Sequence, residues 1–325
     1  MWLDHAVMEI FVRPMQRTLS APAGANLLDV LREHQIPLSY SCMAGRCGTC
    51  RCTVLDRVGL AQAPGQEVLA CQTFVTQSCT VEVPEPDEFV AYPAKTLKAI
   101  VTAIDDATHD IKRLRLKPSK RMDCSPGQYA QLQFTPAHSR PYSMAGLCTD
   151  DEMEFHVRVV PGGQVSGYVA HQLKVGDTVK ISGPLGSAYL RRKNTDPMLC
   201  VAGGTGLAPI LSIVRGALHH GMRNDMHLYL GVRSARDVYG MEWLKALQCA
   251  MPNLQLHTVV ASGGSAHHRQ GLVTQAIAQD WTSLKGFRAY ICGAPPMVEA
   301  STRLAQRLGV APQTIYADAF YASAS

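Results

Sequence analysis

The sequence predicts a multi-domain protein of the α+β and α/β classes. A small α+β domain, an antiparallel β-barrel and a parallel-sheet domain are expected in that order. The 325 residues are enough for two or three domains. A proline-rich acidic stretch interrupts the chain near residue 90. After it, short alternating segments give way to apolar strands separated by helical stretches, the change expected where a barrel precedes a parallel sheet.

The first predicted domain, 1–92, has the pattern of a small α+β fold. Alternation at 8–12 and 17–20 predicts a β-hairpin. Asn26 then precedes leucines at helical spacing and is predicted to cap a helix. The stretch at 84–93 has three prolines and three acidic residues. It predicts a linker, because proline blocks both helix and central strand.

The middle domain, 93–194, is predicted to be a barrel. Apolar and polar residues alternate at 111–116, 129–134 and 153–159, with glycine-containing turn signals between such runs. Several short strands at regular spacing are typical of a small antiparallel barrel. The charged segment 191–197 marks a second, softer linker before the next domain.

The last domain, 195–325, has a different pattern, in which apolar strands alternate with helical stretches. A buried strand at 198–202 is followed by glycines and an apolar helix over 209–218. Further strands are predicted at 227–232, 254–260 and 288–292, with helical stretches between them. Strands that alternate with helices predict a parallel sheet.

Composition excludes several classes of protein. Apolar residues make up 46% and charged residues 18%, so disorder of the whole chain is excluded. No apolar run reaches membrane-spanning length, and the N-terminus lacks the pattern of a signal peptide. Basic residues are dispersed rather than clustered with aromatic residues, so nucleic-acid binding is not expected. A cytoplasmic location without membrane attachment is expected.

Charge and cysteine content are both uneven along the chain. Residues 1–92 carry six Lys and Arg against ten Asp and Glu, while the remainder is basic. This is either ordinary scatter or an acidic module for a partner beside a basic part for phosphates. Six of the eleven cysteines lie between Cys42 and Cys79. An odd count without a secretion signal argues against a complete disulfide framework.

The cysteine cluster has the spacing of an iron–sulfur site. Cys42, Cys47 and Cys50 form C-x4-C-x2-C, and Cys71 can supply a fourth thiolate. This is the plant-type spacing for a [2Fe–2S] cluster, which needs four soft anionic ligands. Zinc is the alternative, although it prefers paired C-x2-C arms; buried free thiols are another. Cys79 is the alternative fourth ligand.

Two segments of the middle domain have residues suited to a flavin. In Arg140-Pro141-Tyr142-Ser143, the guanidinium can pair with a diphosphate, the phenol ring can stack on a flat ring, and the hydroxyl can bond to a ring nitrogen. Gly162, Gly163 and Ser166 precede a helix-like run and could hold phosphate at its N-terminus. A hairpin turn is the alternative for the two glycines.

The last domain carries a candidate dinucleotide loop. Gly204, Thr205, Gly206 and Pro209 lie between a strand and a helix, where glycines let the backbone approach a pyrophosphate. Pro209 suits the first helical turn, where a missing N–H is tolerated. The segment C-G-A-P-P-M from Cys292 follows a later strand and is expected at the same sheet edge. Cys292 could equally be a buried strand-end thiol.

Taken in order, these motifs resemble the reductase components of aromatic-ring-hydroxylating (Rieske) dioxygenase systems, and within them the naphthalene dioxygenase branch. The resemblance covers essentially the whole chain and includes G-P-L-G-S-A-Y-L-R at 183–191 and D-A-F-Y at 318–321. It implies a β-grasp [2Fe–2S] ferredoxin domain, an antiparallel β-barrel FAD domain and a parallel-sheet NAD domain.

The resemblance also implies roles for residues. Those implied to act at the reacting flavin and nicotinamide are Ser143, Cys292 and Phe320. Those implied to bind FAD or the nicotinamide dinucleotide are Arg140, Pro141, Tyr142, Ser143, Gly162, Gly163, Ser166, Gly204, Thr205, Gly206, Pro209, Arg233, Gly293 and Phe320. Those implied to ligate the cluster are Cys42, Cys47, Cys50 and Cys71.

The implied activity is electron transfer from NADH through FAD and the cluster to a Rieske-type ferredoxin or a Rieske oxygenase, by a monomeric protein. Arg233, Ser234 and Arg236 would accept the 2′-phosphate of NADPH, whereas Asp237 favours a ribose hydroxyl; NADH is expected, with NADPH possible. One alternative is the reductase of a diiron monooxygenase or a deoxysugar-synthesis system. Another is a non-catalytic FAD and [2Fe–2S] subunit for electron transfer or redox sensing.

Overall fold

The computed structural model describes residues 7–36, 38, 40, 45, 50–57, 65–84, 92–263 and 268–321. The chain divides into two compact units, Met1–Phe89 and Val90–Ser325. Most of the predicted linker at 84–93 lies outside the described residues. Among the helices that are described, none is long and apolar enough to cross a membrane.

The first unit has a β-grasp fold, in which a five-stranded mixed sheet packs against one helix. The sheet order is β2-β1-β7-β4-β5, and β1 pairs antiparallel with β2 but parallel with β7. The predicted hairpin is therefore confirmed. The elements are β1 Val7–Arg13, β2 Arg17–Pro22, β3 Ala25–Asn26, α1 Leu27–Glu33, β4 Arg51–Arg57, β5 Gln66–Leu69, β6 Phe74–Val75 and β7 Cys79–Glu82.

Helix α1 is held at both its cap and its apolar face. The side-chain oxygen of Asn26 accepts hydrogen bonds from the backbone N–H groups of Leu28 and Asp29, which confirms the predicted cap. The same side chain donates to the carbonyl of Cys71 at 3.0 Å. Leu28 and Leu31 are fully buried against the sheet. One asparagine thus ties the helix start to a cysteine of the predicted cluster.

The second unit begins with the predicted antiparallel barrel. Its sheet order is β11-β10-β13-β8-β9-β12, and an antiparallel bridge between Met144 and Phe155 links the two outer strands. Alternate side chains of β9 and β10 fill the interior. The elements are β8 Lys95–Asp106, β9 Ile111–Pro118, β10 Tyr129–Thr135, β11 His138–Ser143, β12 Met153–Arg158, α2 Gln164–His171 and β13 Thr178–Leu185.

The chain then forms a six-stranded, wholly parallel sheet of order β17-β16-β15-β14-β18-β19. Separate apolar cores cover its two faces. The order reverses between β14 and β18, so a crevice opens at their carboxyl ends. The elements are β14 Met198–Gly203, α3 Leu207–His219, β15 Met226–Val232, α4 Met241–Ala250, β16 Leu254–Val260, β17 Arg269–Gln270, α5 Val273–Asp280, β18 Arg288–Gly293, α6 Pro295–Arg307 and β19 Ile315–Ala319.

Helix α3 joins the parallel sheet to the barrel. The Ser212 hydroxyl donates to the carbonyl of Gly146 at 2.7 Å and accepts from the N–H of Gly127 at 3.3 Å. Ser212 is only 1% exposed. Arg215, one helical turn later, pairs with Asp150 at 2.9 Å. These contacts fix the barrel strand ends against the helix that starts at the crevice.

The charged segment 191–197 forms a turn, but the linker prediction is wrong for its first residue. Arg191 is 3% exposed, and its guanidinium donates to the carbonyls of Ser187 and Tyr189. The same group lies 4.3 Å from the centre of the Tyr316 ring. Backbone acceptors and aromatic faces therefore offset the cost of burying this charge. A solvated linker would have left it exposed.

Candidate active site

The candidate site lies at the crevice where β14 and β18 end. Glycines there allow the loops that follow these two strands to approach each other closely. A methyl group on Gly206 would overlap the carbonyl oxygen of Cys292. A methyl group on Gly293 would lie 2.8 Å from the carbonyl oxygen of Gly203, and Gly293 has a φ of +144°. Larger residues cannot occupy these positions without moving the backbone. The two predicted loops are therefore brought together.

The loop after β14 leads directly into a helix, as the sequence predicted. A 3-10 turn covers Gly204–Gly206, and α3 begins at Leu207. No side chain caps the N-terminus of α3. Pro209 is the third helical residue, where a missing N–H costs no helical bond. The positive end of the helix dipole at this turn suits an anionic diphosphate.

A barrel residue and two residues of the parallel sheet meet beside this loop. Ser143, at the end of β11, donates its hydroxyl proton to a carboxylate oxygen of Asp318 at 3.4 Å. Asp318 is the register partner of Cys292 on the neighbouring strand. Burial, followed by the nearby Asp318 charge, raises the pKa of the Cys292 thiol well above its ordinary value. Cys292 is therefore a neutral thiol here rather than a nucleophilic thiolate.

Phe320 follows β19 and is tied to the same crevice. Its backbone N–H donates to the carbonyl of Gly293 at 2.9 Å, which extends the pairing with β18 by one residue. The residue is half-buried. The predicted trio of Ser143, Cys292 and Phe320 is thus assembled around Asp318. Asp318 belongs to the quoted D-A-F-Y segment, but sequence reasoning gave it no role.

The predicted flavin segment forms β11 and carries an aromatic surface. Tyr142 packs edge-on against Phe134, with ring centres 6.3 Å apart. Burial raises the pKa of Tyr142 to about 12, so the phenol stays neutral at physiological pH. Nearby, His138 stacks on Tyr168 of α2 at 4.6 Å. Arg140 and Pro141 lie on the same strand, between His138 and Tyr142.

The two predicted glycines lead into helix α2 rather than a hairpin, so that alternative is wrong. Gly162 has a φ of +72°, a conformation that favours glycine. Gly163 caps α2 without a side-chain hydrogen bond. The Ser166 oxygen accepts from the N–H of Val160 at 3.1 Å, which holds the turn closed. The helix amides therefore remain available to an anion, with Ser166 shaping the loop.

The residues after β15 separate into two groups. Arg233 and Arg236 are exposed, as a phosphate-binding pair requires. Asp237 is 7% exposed, and its carboxylate accepts from the Ser234 hydroxyl at 2.6 Å and from the Ser234 N–H at 2.8 Å. It also lies 3.8 Å from His109. The Asp237 carboxylate thus caps this turn while the two arginines stay exposed.

In the first unit, two of the four predicted ligands are described. Cys50 is 3% exposed and Cys71 is 7% exposed, so both are buried. The N–H of Ala70 donates to the carbonyl of Cys50 at 2.9 Å, so the chain around Cys71 lies next to Cys50. A side-chain N–H of Gln72 points at the Cys71 sulfur at 3.6 Å. Cys42 and Cys47 lie outside the described residues.

The other cysteines of this region occupy strands. Cys52 lies on β4 and Cys79 on β7. Burial, followed by the neighbouring Cys79, raises the pKa of Cys52 to about 12. Sequence reasoning missed a different pair: Cys124 and Cys148 are neighbours, with Cα atoms 5.8 Å apart. Their separation of 24 residues gave no signal.

These residues fit the groups that the motifs imply. Two buried thiols with an amide donor aimed at one sulfur suit an iron–sulfur cluster, whose sulfurs accept hydrogen bonds. A neutral phenol, an arginine and an uncapped helix suit a flavin with its diphosphate. The glycine-lined crevice at the switch point of a parallel sheet suits a dinucleotide.

Comparison with known families defines the class of protein. Residues 10–76 match the 2Fe-2S iron-sulfur cluster binding domain, residues 98–189 the oxidoreductase FAD-binding domain, and residues 200–303 the oxidoreductase NAD-binding domain. The protein is thus an oxidoreductase with [2Fe–2S], FAD and NAD domains, as the motif order predicted.

Comparison with individual relatives identifies the type of oxidoreductase more closely. The chain is 57% identical to the ferredoxin–NAD(P)+ reductase component of the naphthalene 1,2-dioxygenase/salicylate 5-hydroxylase systems of Ralstonia, over 97% of this chain and 99% of the relative. It is 54% identical to the corresponding component of the Pseudomonas putida naphthalene 1,2-dioxygenase system, over 97% and 99%. The chain belongs to this family of dioxygenase-system ferredoxin–NAD(P)+ reductase components.

Solved structures agree with this fold. The Amycolatopsis cytochrome P450 reductase GcoB is 30% identical, with a TM-score of 0.74 over 96% of this chain and 98% of that chain. A ferredoxin reductase in carbazole 1,9a-dioxygenase is 26% identical, with a TM-score of 0.68 over 98% and 100%. Both likenesses extend over nearly the entire sequence, so they include the three predicted domains together.

Proposed function

We propose that this protein takes electrons from NADH and delivers them to a Rieske-type ferredoxin or a Rieske oxygenase in aromatic hydrocarbon degradation. The observation that carries the proposal is the meeting of Ser143 with Asp318 and Cys292 at the glycine-lined crevice. There a flavin held by the barrel would lie beside a nicotinamide held by the parallel sheet. NADPH is a possible second donor, because Arg233 and Arg236 are exposed beside that sheet edge.

The proposed roles of the residues follow from where they lie. When bound, FAD supplies two-electron acceptance of hydride and one-electron release, and the cluster supplies one-electron transfer. We assign the flavin diphosphate to Arg140, Gly162, Gly163 and the start of α2. Pro141 and Tyr142 would fix the ring edge, and Ser143 would hold or release a proton beside the flavin nitrogen. Ser166 shapes the loop through its bond to Val160.

The parallel sheet would hold and orient the nicotinamide ring. We assign the dinucleotide diphosphate to the turn of Gly204, Thr205 and Gly206 with the start of α3 at Pro209. Cys292 and Gly293 would lie under the nicotinamide ring, since β18 ends there. Phe320 would cover the flavin face and exclude water from it.

The cluster would be ligated by Cys42, Cys47, Cys50 and Cys71. Burial of Cys50 and Cys71 in one apolar core supports this set. A methyl group on Gly45, within the loop, would lie 2.9 Å from the side chain of Gln72. Gly45 therefore lies beside the residue that follows Cys71, which favours Cys71 over Cys79 as the fourth ligand.

The choice of partner rests on the relatives. Identity is 57% and 54% to two naphthalene dioxygenase-system components, against 29% to the reductase component of propane 2-monooxygenase from Mycolicibacterium goodii. The difference supports a dioxygenase system over a diiron monooxygenase. We place the protein in the cytoplasm, where thiol ligands stay reduced, and as a monomer. Its domains are proposed to be 1–92, 93–194 and 195–325.

An acceptor assay with cysteine variants tests the proposal. NADH-dependent reduction of a purified Rieske-type ferredoxin is compared with reduction of ferricyanide, which a flavin can reduce directly. Serine variants of Cys42, Cys47, Cys50 and Cys71 should each lose ferredoxin reduction and keep ferricyanide reduction. Cys79→Ser is the matched control and should keep both, because Cys79 lies on strand β7 and is not one of the four proposed ligands.

Different failures point to different errors. If Cys79→Ser loses ferredoxin reduction while Cys71→Ser keeps it, then Cys79 is the fourth ligand. If the wild-type protein reduces ferricyanide but no Rieske-type ferredoxin or oxygenase, the proposed partner is wrong. If neither acceptor is reduced, the non-catalytic alternative is correct.

A further inference from the structure

A buried chain of hydrogen bonds runs from the barrel to the candidate dinucleotide loop. The guanidinium of Arg113 donates to one carboxylate oxygen of Glu154 at 2.6 Å. The other oxygen of Glu154 lies 3.0 Å from Nε2 of His156. Nδ1 of His156 lies 3.0 Å from the hydroxyl of Tyr239. That hydroxyl donates to the carbonyl of Gly204 at 3.3 Å. We refer to Glu154, His156 and Tyr239 as the histidine network.

Water has little access to the histidine network. His156 is 4% exposed and Tyr239 is 5% exposed. The ring of Trp243, on α4, lies 5.8 Å from that of His156 and 4.8 Å from the Arg113 guanidinium. Because buried polar groups must find partners within the protein, the protons of these groups can be assigned from the geometry.

The count of donors fixes where each proton lies. Burial disfavours ionisation of Glu154, but hydrogen bonds from His156 and Arg113 outweigh it and hold the pKa of Glu154 at about 2. Glu154 is therefore an acceptor only, and so is the carbonyl of Gly204. Tyr239 has a single hydroxyl proton, which the bond to Gly204 uses. While that proton points at Gly204, the Tyr239 oxygen accepts a hydrogen bond from Nδ1–H of His156, and Nε2–H donates to Glu154.

All three bonds exist together only when both ring nitrogens of His156 carry protons. If the His156 ring carries only one proton, Nε2–H keeps its hydrogen bond to Glu154 and Nδ1 becomes a hydrogen-bond acceptor. The Tyr239 hydroxyl then turns its proton towards His156, and the carbonyl of Gly204 keeps only the backbone N–H of Leu207 as a donor. The protonation state of a barrel residue is thus coupled to one peptide group of the dinucleotide loop.

The position of Gly204 lets its hydrogen bonds influence the dinucleotide loop. This residue opens the Gly204–Gly206 turn and has a φ of +55°, which favours glycine. The carbonyl of Gly204 and the N–H of Thr205 belong to one rigid peptide plane. Fixing the carbonyl therefore fixes the direction of the next amide, which faces the proposed diphosphate position.

We propose that His156 is a positioning residue that is doubly protonated in the resting protein and, through Tyr239, orients the Gly204–Gly206 turn to bind the nicotinamide dinucleotide. The inference rests on the proposed function of that turn. Nucleotide affinity is highest in the doubly protonated state of His156, because only that state leaves the Tyr239 proton on the carbonyl of Gly204. The nearest charged group to the ring is the Glu154 carboxylate, 3.0 Å from Nε2.

Other charged and titratable groups surround the histidine network. The positive Arg158 and the negative Asp110 form an ion pair at 2.9 Å and act on Tyr239 with opposite signs. The charge of Arg113 lies on the far side of Glu154 from the ring. The groups facing His156 and its partners are Glu154 and Arg158 on β12, Arg113 on β9, Asp110 before β9, Tyr239 before α4, and Glu242 on α4.

Binding of NAD+ to the cofactor-loaded protein tests the inference. Dissociation constants are measured by calorimetry from about pH 6 to about pH 9, the range in which histidine titrates. Affinity of the wild-type protein should fall about fivefold with rising pH, the effect of one hydrogen bond. Tyr239→Phe should bind about fivefold more weakly at low pH and show no such dependence. His156→Gln, which cannot take up a proton, should also lose the pH dependence.

Two controls separate this effect from general damage. Tyr229→Phe removes another hydroxyl of the same sheet, one bonded to Asp280 and Trp281. It belongs to the apolar core opposite that of Tyr239, so its pH dependence should equal that of the wild type. Nitrogen-15 spectra of histidine-labelled protein report the state of His156 directly, with the His156→Gln spectrum assigning the signal. Two protonated ring nitrogens are expected near neutral pH.

The outcomes separate the two claims. If neither NAD+ nor NADP+ binds the wild-type protein at any pH, the proposed function is overturned and this inference falls with it. If NAD+ binds with the same pH dependence in the wild type and in Tyr239→Phe, the inference alone is overturned. A singly protonated His156 in the nitrogen-15 spectrum would also overturn it.

Discussion

At the scale of single residues, the site depends on positions where no side chain fits. Gly206 and Gly293 each face the backbone of the neighbouring strand, so β14 and β18 approach each other through bare peptide groups. The sequence predicted that these glycines line a dinucleotide loop. It could not predict that Cys292 would be the residue against which Gly206 packs, because that contact depends on strand order.

We therefore expect Gly206→Ala to damage both stability and nucleotide binding. The added methyl group would overlap the carbonyl of Cys292, so one strand end must move. Overpacking of this kind costs about 1–3 kcal/mol. Thermal unfolding should shift downward, and the dissociation constant for NAD+ should rise at least about tenfold, as measured by calorimetry.

Gly167→Ala is the matched control for that variant. Gly167 lies within α2, and a methyl group there would have no atom within 4 Å. Alanine is preferred over glycine inside a helix by about 0.5–1 kcal/mol, so the melting temperature should hold or rise. If the two variants unfolded at the same temperature, the packing account of Gly206 would be wrong.

At the scale of elements, the sequence predicted correctly those helices and strands whose pattern lies within one continuous segment of the chain. The Asn26 cap, the helix at 209–218 and the strands of the parallel sheet follow from local periodicity, and all are present. The hydrogen bond between Ser143 and Asp318 joins residues 175 positions apart, and no local pattern reports it. The burial of Arg191 was missed for the same reason, since Tyr316 lies on the distant strand β19.

The pairing of β9 with β12 makes a prediction about acid stability. Hydrogen bonds from His156 and Arg113 outweigh burial and lower the pKa of Glu154 from 4.5 to about 2. A carboxyl with a lowered folded-state pKa stabilises the protein above its unfolded value. That stabilisation should be fully present above about pH 4.5 and disappear as pH falls towards about 2.

Glu154→Gln should remove this part of the pH dependence. Urea unfolding at several pH values should show the variant less stable than the wild type at neutral pH, with the difference shrinking through the acidic range. Glu152→Gln is the control, because Glu152 only pairs with Arg115 at 3.6 Å near the barrel surface. Equal slopes of stability against pH for the wild type and Glu154→Gln would contradict the assignment.

At the scale of the whole molecule, the chain combines three modules whose order the motifs already indicated. The family matches fall in the same order as the predicted domains. The ligand set of the cluster is less complete, because Cys42 and Cys47 lie outside the described residues. The exchange of electrons between the units is therefore a claim about function that only a measurement on the whole protein can test.

The most direct test is an anaerobic titration of the purified, FAD- and cluster-loaded protein with NADH, followed by visible absorbance and electron paramagnetic resonance. We expect the flavin absorbance to bleach and the signal of a reduced [2Fe–2S] cluster to appear. If both cofactors are present and the flavin stays oxidised, the nicotinamide site is wrong and the protein is a carrier that receives electrons from another source.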